Sequence, residues 1–270
     1  MTQTAPDLVN PVKQRLAAGE PALGMVVRLS RSGEVARIAR ASGYDFVFVD
    51  VQHSIYSLET IGHIAQTALG CGIAPMVRVR SCRDPDVAVL LDCGATGIVF
   101  PDVNTAADAQ LAVDTCKYAP IGKRSLTSGY SIFDFGPVSP ADTVRILNGN
   151  TLVVCMIETV EGLKNVDAIA AVEGVDVLLI GLTDLLYTMG KAGELADPAV
   201  MEAVDRVAAA ARAHGKVLGL GGDSNPGRQA EYLRRGVRFF TLPSDGALLM
   251  SAATAAAGSL RTMDRERARA

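Results

Sequence analysis

Residues 46–54 read FVFVDVQHS. The run from Phe46 to Val49 carries no polar residue. It ends at Asp50, and one of the chain's three histidines, His53, follows three positions later. A strand with one wet face alternates apolar and polar residues. An unbroken apolar run belongs to a parallel strand covered on both faces. Seven further stretches are strand candidates, most of them nearly continuous in apolar residues: LGMVVRL (23–29), APMVRVR (74–80), TGIVFP (96–101), LVVCMIE (152–158), VDVLLIG (175–181), KVLGLGG (216–222) and RFFTLPS (238–244). Helical patterns with credible ends lie between them. SGEVARIARASG puts Val35, Ile38 and Ala39 on one face and stops at Gly43. SLETIGHIAQTALGCG opens at Ser57, and DPAVMEAVDRVAAAARAHG runs from an Asp197-Pro198 start to Gly215. NPVKQRLAAG adds an N-terminal helix before the first strand.

Eight strand–helix units predict an α/β fold of the (β/α)8 TIM-barrel type, with residues 1–260 as one domain and 261–270 as a flexible tail. A doubly wound open sheet is the alternative, but it asks for a glycine-rich phosphate loop after an early strand. GLGGDSNPG (219–227) comes late and lacks the dinucleotide spacing, so it reads as a turn. The alanine-rich GALLMSAATAAAG suits close packing against another subunit. The connection 118–150 exceeds the usual helix-to-strand length, which marks it as a candidate functional loop.

Composition excludes several classes. Of 270 residues, 49% are hydrophobic and 20% charged, enough apolar matter for a large core and too little charge for disorder. The net charge of −3 comes from 26 basic and 29 acidic residues spread along the chain, with no basic block to suggest nucleic acid. The N-terminus lacks the apolar core of a signal peptide and no run reaches transmembrane length, so a cytoplasmic protein with no membrane partner is expected. The five cysteines form no C-x-x-C pair, which gives neither a disulfide framework nor a zinc knuckle. None is assigned a catalytic role, and Cys155 reads as a buried thiol.

Barrel chemistry sits at the C-terminal ends of the strands, so the polar residues that end each run form the shortlist. They are Asp50 with His53, Arg78 with Arg80, Asp102, Glu158, Asp184 and Asp223. Asp102 and Asp223 read as helix N-caps. Glu158 and Asp184 end consecutive strands, and two such carboxylates suit a hard divalent cation whose other positions go to water and substrate oxygens. His53 suits a general base, oriented by Asp50, and Arg78 suits an enolate counter-charge. Together they point to proton abstraction beside a carbonyl. No lysine sits at the C-terminal end of a strand, which argues against a Schiff base. His63 and His214 fall in helical patterns and read as ordinary helix residues.

The pieces VDVQHS, APMVRV, LLDCGATGIVFP, IGKRS, MIETVEGLKN and VDVLLIGLTDLLYTMG, in that order, resemble the HpcH/HpaI aldolases, metal-dependent pyruvate aldolases of the phosphoenolpyruvate/pyruvate-binding barrel type. The resemblance spans about residues 20–255. It implies His53 as base with Asp50 beside it, Arg78 on pyruvate, and Glu158 and Asp184 on Mg²⁺ or Mn²⁺, with Co²⁺ as a further candidate. It also implies that the backbone at Thr183 holds the pyruvate carboxylate. Asp92 would raise the histidine's basicity, in this family across a subunit boundary. The assembly implied is a homohexamer, a trimer of dimers with exchanged C-terminal helices. Two residues depart from the pattern: Gln52 stands where many relatives have Glu, and Met156 where many have Gln. The thioether cannot donate the amide hydrogen bond expected to reach pyruvate.

The expected function is therefore a lyase that cleaves a 4-hydroxy-2-oxo acid to pyruvate and an aldehyde through a pyruvate enolate held by the metal. Arg124 and Tyr130 are the candidates for contacting a polar aldehyde. The alternatives are an acyl-CoA-type lyase or decarboxylase of the same superfamily, or a non-catalytic binding protein.

Overall fold

A computed structural model describes residues 8–268. Eight parallel strands close in sequence order into a barrel: β1 (Ala22–Val27), β2 (Phe46–Asp50), β3 (Ala74–Arg78), β4 (Gly97–Phe100), β5 (Leu152–Ile157), β6 (Val177–Gly181), β7 (Val217–Gly221) and β8 (Val237–Ser244). The helices in chain order are α1 (Pro11–Ala17), α2 (Glu34–Ala41), α3 (Leu58–Gly70), α4 (Val87–Asp92), α5 (Ala106–Cys116), α6 (Pro140–Asn150), α7 (Val160–Lys164), α8 (Val166–Ala170), α9 (Leu182–Thr188), α10 (Pro198–Ala213), α11 (Pro226–Arg234) and α12 (Asp245–Arg267). The expected TIM barrel with its extra N-terminal helix is borne out.

The unbroken run in β2 serves two cores at once. Phe46 and Phe48 point into the barrel with Met76, Val99, Val154, Leu179 and Phe239, while Val47 and Val49 pack outward against the helix layer. Phe46 stacks on Phe239 with ring centroids 4.6 Å apart. Gly24 makes room for that ring, since a Cβ there would lie 2.0 Å from Phe46. α1 closes the N-terminal end: Val12 joins the interior core, and Asn10 caps the helix while its amide donates to the carbonyl oxygens of Thr96 and Asn150.

Some local expectations change. Ile38 is 60% exposed, because Val35, Ala36 and Ala39 form the buried face of α2. Asp102 and Asp223 are not N-caps; Thr105 caps α5 in a capping box with Asp108, and Asn225 caps α11. α12 extends through residues 261–267, within the stretch expected as a tail, and 269–270 lie outside the described residues. The connection 118–150 joins α5 to β5, so it belongs to the N-terminal face of the barrel. Its Tyr118, Tyr130 and Phe133 make a small core there with Ile146 and Leu147 of α6.

Candidate active site

A cavity of about 540 Å³ opens at the C-terminal mouth, and Arg28, His53, Arg78, Met156, Glu158 and Asp184 are among its walls. Each is delivered by a strand end or the residues just beyond it, where a parallel barrel leaves backbone and side chains free to face a ligand.

Asp50 is the hub of one side. It is fully buried, and its carboxylate accepts from Arg78 Nε at 3.0 Å and Nη2 at 2.7 Å, and from Arg28 Nε at 2.6 Å. Burial alone would raise its pKa, but the two guanidinium groups outweigh that and hold it below the usual carboxylate range. The same carboxylate accepts the backbone N–H groups of Gln52 at 3.1 Å and His53 at 3.3 Å. Asp50 therefore fixes the turn that carries His53 and does not hydrogen-bond the imidazole, which corrects the expected orienting contact. Arg78 Nη1 has only a weak sulfur contact, 3.9 Å to Met156 Sδ, and so keeps donor capacity toward the cavity.

Glu158 forms the other side. Its Oε1 accepts the backbone N–H of Asp102 at 2.8 Å, and its buried Oε2 has no hydrogen-bond partner among the described residues. Asp102 presents that N–H from a left-handed backbone, φ 52°. A Cβ on Gly181 would come within 2.6 Å of Oε2, so glycine keeps that oxygen's surroundings open. Burial pushes the Glu158 carboxyl up to about 7; the Asp102 N–H pulls it down, while the charges of Asp102 and Asp184 push it further up. A buried, unpartnered carboxylate oxygen beside a second carboxylate in the same cavity fits a hard divalent cation. Among the described residues no group of three or more His, Cys, Asp or Glu side chains forms a closed cage, so such an ion would keep positions for water and substrate. Asp184 and Thr183 lie in the first turn of α9, where backbone N–H groups lack intrahelical partners.

Three expected site residues lie elsewhere. Asp92 ends α4, and α4 runs back down the outside of the barrel, so its C-terminus lies at the N-terminal face. There Asp92 pairs with Arg124 Nη2 at 2.5 Å, and the Arg124 guanidinium stacks 4.8 Å from the Tyr118 ring centre. Tyr130 is buried against Tyr118, with their hydroxyls 2.9 Å apart. None of the three lines the mouth cavity of its own chain. Conversely, Arg28 and the Asp102 N–H were not foreseen. Arg28 satisfies the rule that found the others, a charge ending an apolar run, but LGMVVRL hides it between apolar neighbours.

The family model for HpcH/HpaI aldolase/citrate lyase matches residues 24–252. The chain belongs to that family. An HpcH/HpaI relative, the 4-hydroxy-4-methyl-2-oxoglutarate aldolase of Chaetomium globosum, is 38% identical over 262 residues, covering 96% of this chain and 97% of that protein. The 5-keto-4-deoxy-D-glucarate aldolase of Escherichia coli (strain K12) is 33% identical, covering 90% and 93%. Among solved structures, the HpcH/HpaI aldolase from Desulfitobacterium hafniense DCB-2 superposes with a TM-score of 0.88 at 29% identity, over 92% of this chain and 96% of that one. The citrate synthase SbnG superposes with a TM-score of 0.83 at 30% identity, over 93% and 98%. The expected family is thus borne out, and the chain is an aldolase-type lyase of the HpcH/HpaI family.

Proposed function

We propose that the chain is a divalent-metal-dependent, class II aldolase that reversibly cleaves a 4-hydroxy-2-oxo acid into pyruvate and a second carbonyl compound. The observation that carries this reading is the unclaimed Glu158 Oε2 in the same cavity as Asp184, Arg78 and His53. Glu158 and Asp184 would hold Mg²⁺ or Mn²⁺, with Co²⁺ a further candidate, and the ion would polarise the 2-oxo group and its neighbouring carboxylate. His53 takes the C4 hydroxyl proton. The C3–C4 bond breaks, its electron pair forms the enolate of pyruvate, and C4 leaves as a carbonyl. Arg78 Nη1 stabilises the negative charge that develops on the C2 oxygen. The backbone N–H groups at Thr183 and Asp184 hold the pyruvate carboxylate. Met156 replaces an amide donor with a polarisable wall, so Arg78 does more of the binding.

The same proposal extends to assembly. α12 buries none of its residues and exposes Leu249, Met250, Leu260 and Met263, which supports its packing on another copy, as in a hexamer with exchanged C-terminal helices. Asp92, on the face away from its own cavity, would serve a neighbour's site. Among the described residues no helix is long and apolar enough to cross a membrane, which accords with the cytoplasmic placement we propose.

Proton–deuterium exchange at the methyl group of pyruvate in D₂O, followed by NMR, tests the enolate half-reaction without knowing the second product. Exchange with Mg²⁺ or Mn²⁺ that stops with chelator is the expected result. A folded, metal-loaded protein that gives no exchange would overturn the proposal.

A further inference from the structure

Resting on the aldolase reading, we propose that Arg28 binds a carboxylate attached to C4 of the substrate, so that the carbonyl partner released is itself a 2-oxo acid. Three adjoining strands build the row Arg28–Asp50–Arg78: Val27 pairs with Val49, one residue before Arg28 and Asp50, and Asp50 pairs with Arg78. One buried carboxylate thus faces two guanidinium groups, and one positive charge is left over at the cavity. Arg78 grips Asp50 in a two-nitrogen fork, through Nε and Nη2. Arg28 uses Nε alone, and neither of its Nη groups donates to any of the described residues. A purely structural partner would be expected to turn its fork inward, as Arg78 does. Arg28 instead turns its fork away from Asp50, with the side chain 45% exposed in the cavity wall.

The arginine is held in place from behind. The Asp245 carboxylate accepts the backbone N–H groups of Arg28 at 3.0 Å, Leu29 at 3.1 Å and Ser30 at 2.7 Å. Arg31 stacks on Tyr56 at 3.9 Å, and the Tyr56 hydroxyl donates to the Ser30 carbonyl at 3.0 Å. Nearby acids do not neutralise the spare charge. Asp245 is occupied by those N–H groups, Asp223 is taken by Arg228 and the Tyr232 hydroxyl, and the remaining cavity carboxylates, Glu158 and Asp184, are the pair assigned to the cation.

Position also sets the length of the ligand. Arg28 Nε and Arg78 Nη2 share one oxygen, Asp50 Oδ2, so the two guanidinium groups sit side by side. With Arg78 on the C2 oxygen, we place Arg28 on a group at C4, the short-range alternative to a carboxylate several methylenes further out. The chemistry balances without a co-reactant. The C4 hydroxyl proton goes to His53, the C3–C4 pair goes to the enolate, C4 keeps its carboxylate as it becomes a carbonyl, and protonation of the enolate at C3 releases pyruvate.

The test is condensation with pyruvate by the metal-loaded enzyme, comparing kcat/KM for glyoxylate, neutral glycolaldehyde, succinic semialdehyde and glyceraldehyde 3-phosphate in wild type, Arg28→Gln and Arg28→Lys. Removal of a charge-assisted contact predicts that Arg28→Gln loses about 10- to 100-fold more for glyoxylate than for glycolaldehyde, chiefly in the acceptor KM. Arg28→Lys should recover part of that difference. An equal loss for both acceptors would assign Arg28 to holding Asp50 and overturn the inference. So would a selective loss for the remote carboxylate or the phosphate. Absence of pyruvate exchange in the wild type would sink the aldolase reading itself, and this outcome is read separately from the acceptor ratios.

Discussion

The two ends of the barrel handle buried charge in opposite ways. At the N-terminal end, Lys117 is buried, yet its ammonium donates to the carbonyl oxygens of Asn148 at 2.9 Å and Thr151 at 2.5 Å and lies 3.6 Å from Asp176. Burial lowers its pKa, with the charge of Asp176 opposing the shift. At the C-terminal end, the buried Glu158 Oε2 has no partner among the described residues, and the half-exposed Arg28 keeps both Nη groups free of protein acceptors there. A buried polar group without a partner costs about 1–3 kcal/mol; at the mouth a ligand can complete the contact of Glu158 Oε2, whereas Arg124 Nε, also buried without a partner at the floor, belongs to a guanidinium already paired with Asp92. The floor is built for stability and the mouth for binding, so variants at the two ends should fail in different measurements.

The largest effect is expected at Glu158. Glu158→Ala removes half of the paired carboxylates, and metal-dependent pyruvate exchange should fall by about 10³-fold or more, since several kcal/mol of charge stabilisation goes with the ion. The fold should survive, because the lost side chain contributes one accepted hydrogen bond, from Asp102. Wild-type exchange in this variant would remove Glu158 from the metal site and blur the distinction between the two ends.

Arg78→Ala comes next. Loss of a donor to the developing oxyanion costs about 3 kcal/mol, roughly 10²-fold in kcat. Here the variant also strips the fork from the buried Asp50, so the melting temperature should be measured beside the rate. A loss of stability with an unchanged rate per folded molecule would move Arg78 from chemistry to support of Asp50.

Much of this contrast could be read from the sequence, and the misses have physical causes. Eight runs, most of them nearly continuous in apolar residues, specify strands buried on both faces. The residues that end them, His53, Arg78, Glu158 and Asp184, reach one cavity because all parallel strands end on the same side. For Arg124 and Tyr130 residue type is a poor guide, because location decides access: both follow a helix rather than a strand, which puts them on the opposite face. Asp92, at the end of α4 on that face, is away from its own cavity, as a role across a subunit boundary requires. For Asp50, spacing shows only that His53 is near. It does not show that two arginines from neighbouring strands take the carboxylate first. The left-handed backbone of Asp102 is a tertiary outcome, stabilised by an acceptor 56 residues away.

The floor supplies the converse variant. Lys117→Met leaves the carbonyl oxygens of Asn148 and Thr151 without their donor and weakens the charge balance at Asp176, which also pairs with Lys13 at 2.9 Å. The expected cost is about 2 kcal/mol of stability, seen as a lower midpoint in urea. Pyruvate exchange per folded molecule should stay within about threefold, a change of less than 1 kcal/mol in the barrier. A large rate loss at unchanged stability would show that the floor is coupled to the mouth.

The smallest effect is the most specific to the mouth. Glu158 is pushed up to about 7 from an ordinary 4.5, chiefly by burial. A carboxyl raised in this way favours the metal-free fold through its neutral form. That contribution is complete below the unfolded value near 4.5 and is lost as pH rises through about 7. A divalent cation requires the opposite, the ionised carboxylate. Below pH 7 each further unit should therefore weaken metal binding by up to tenfold, about 1.4 kcal/mol, while metal-free stability improves. Melting curves at pH 8 and pH 6, with Mg²⁺ and with chelator, separate the two. The rise in melting temperature on adding metal should be clearly larger at pH 8, and Glu158→Gln should abolish most of that difference. An equal rise at both pH values would mean that the carboxylate binding the ion is not the buried one, and the reading of its bare Oε2 as a metal ligand would fall with it.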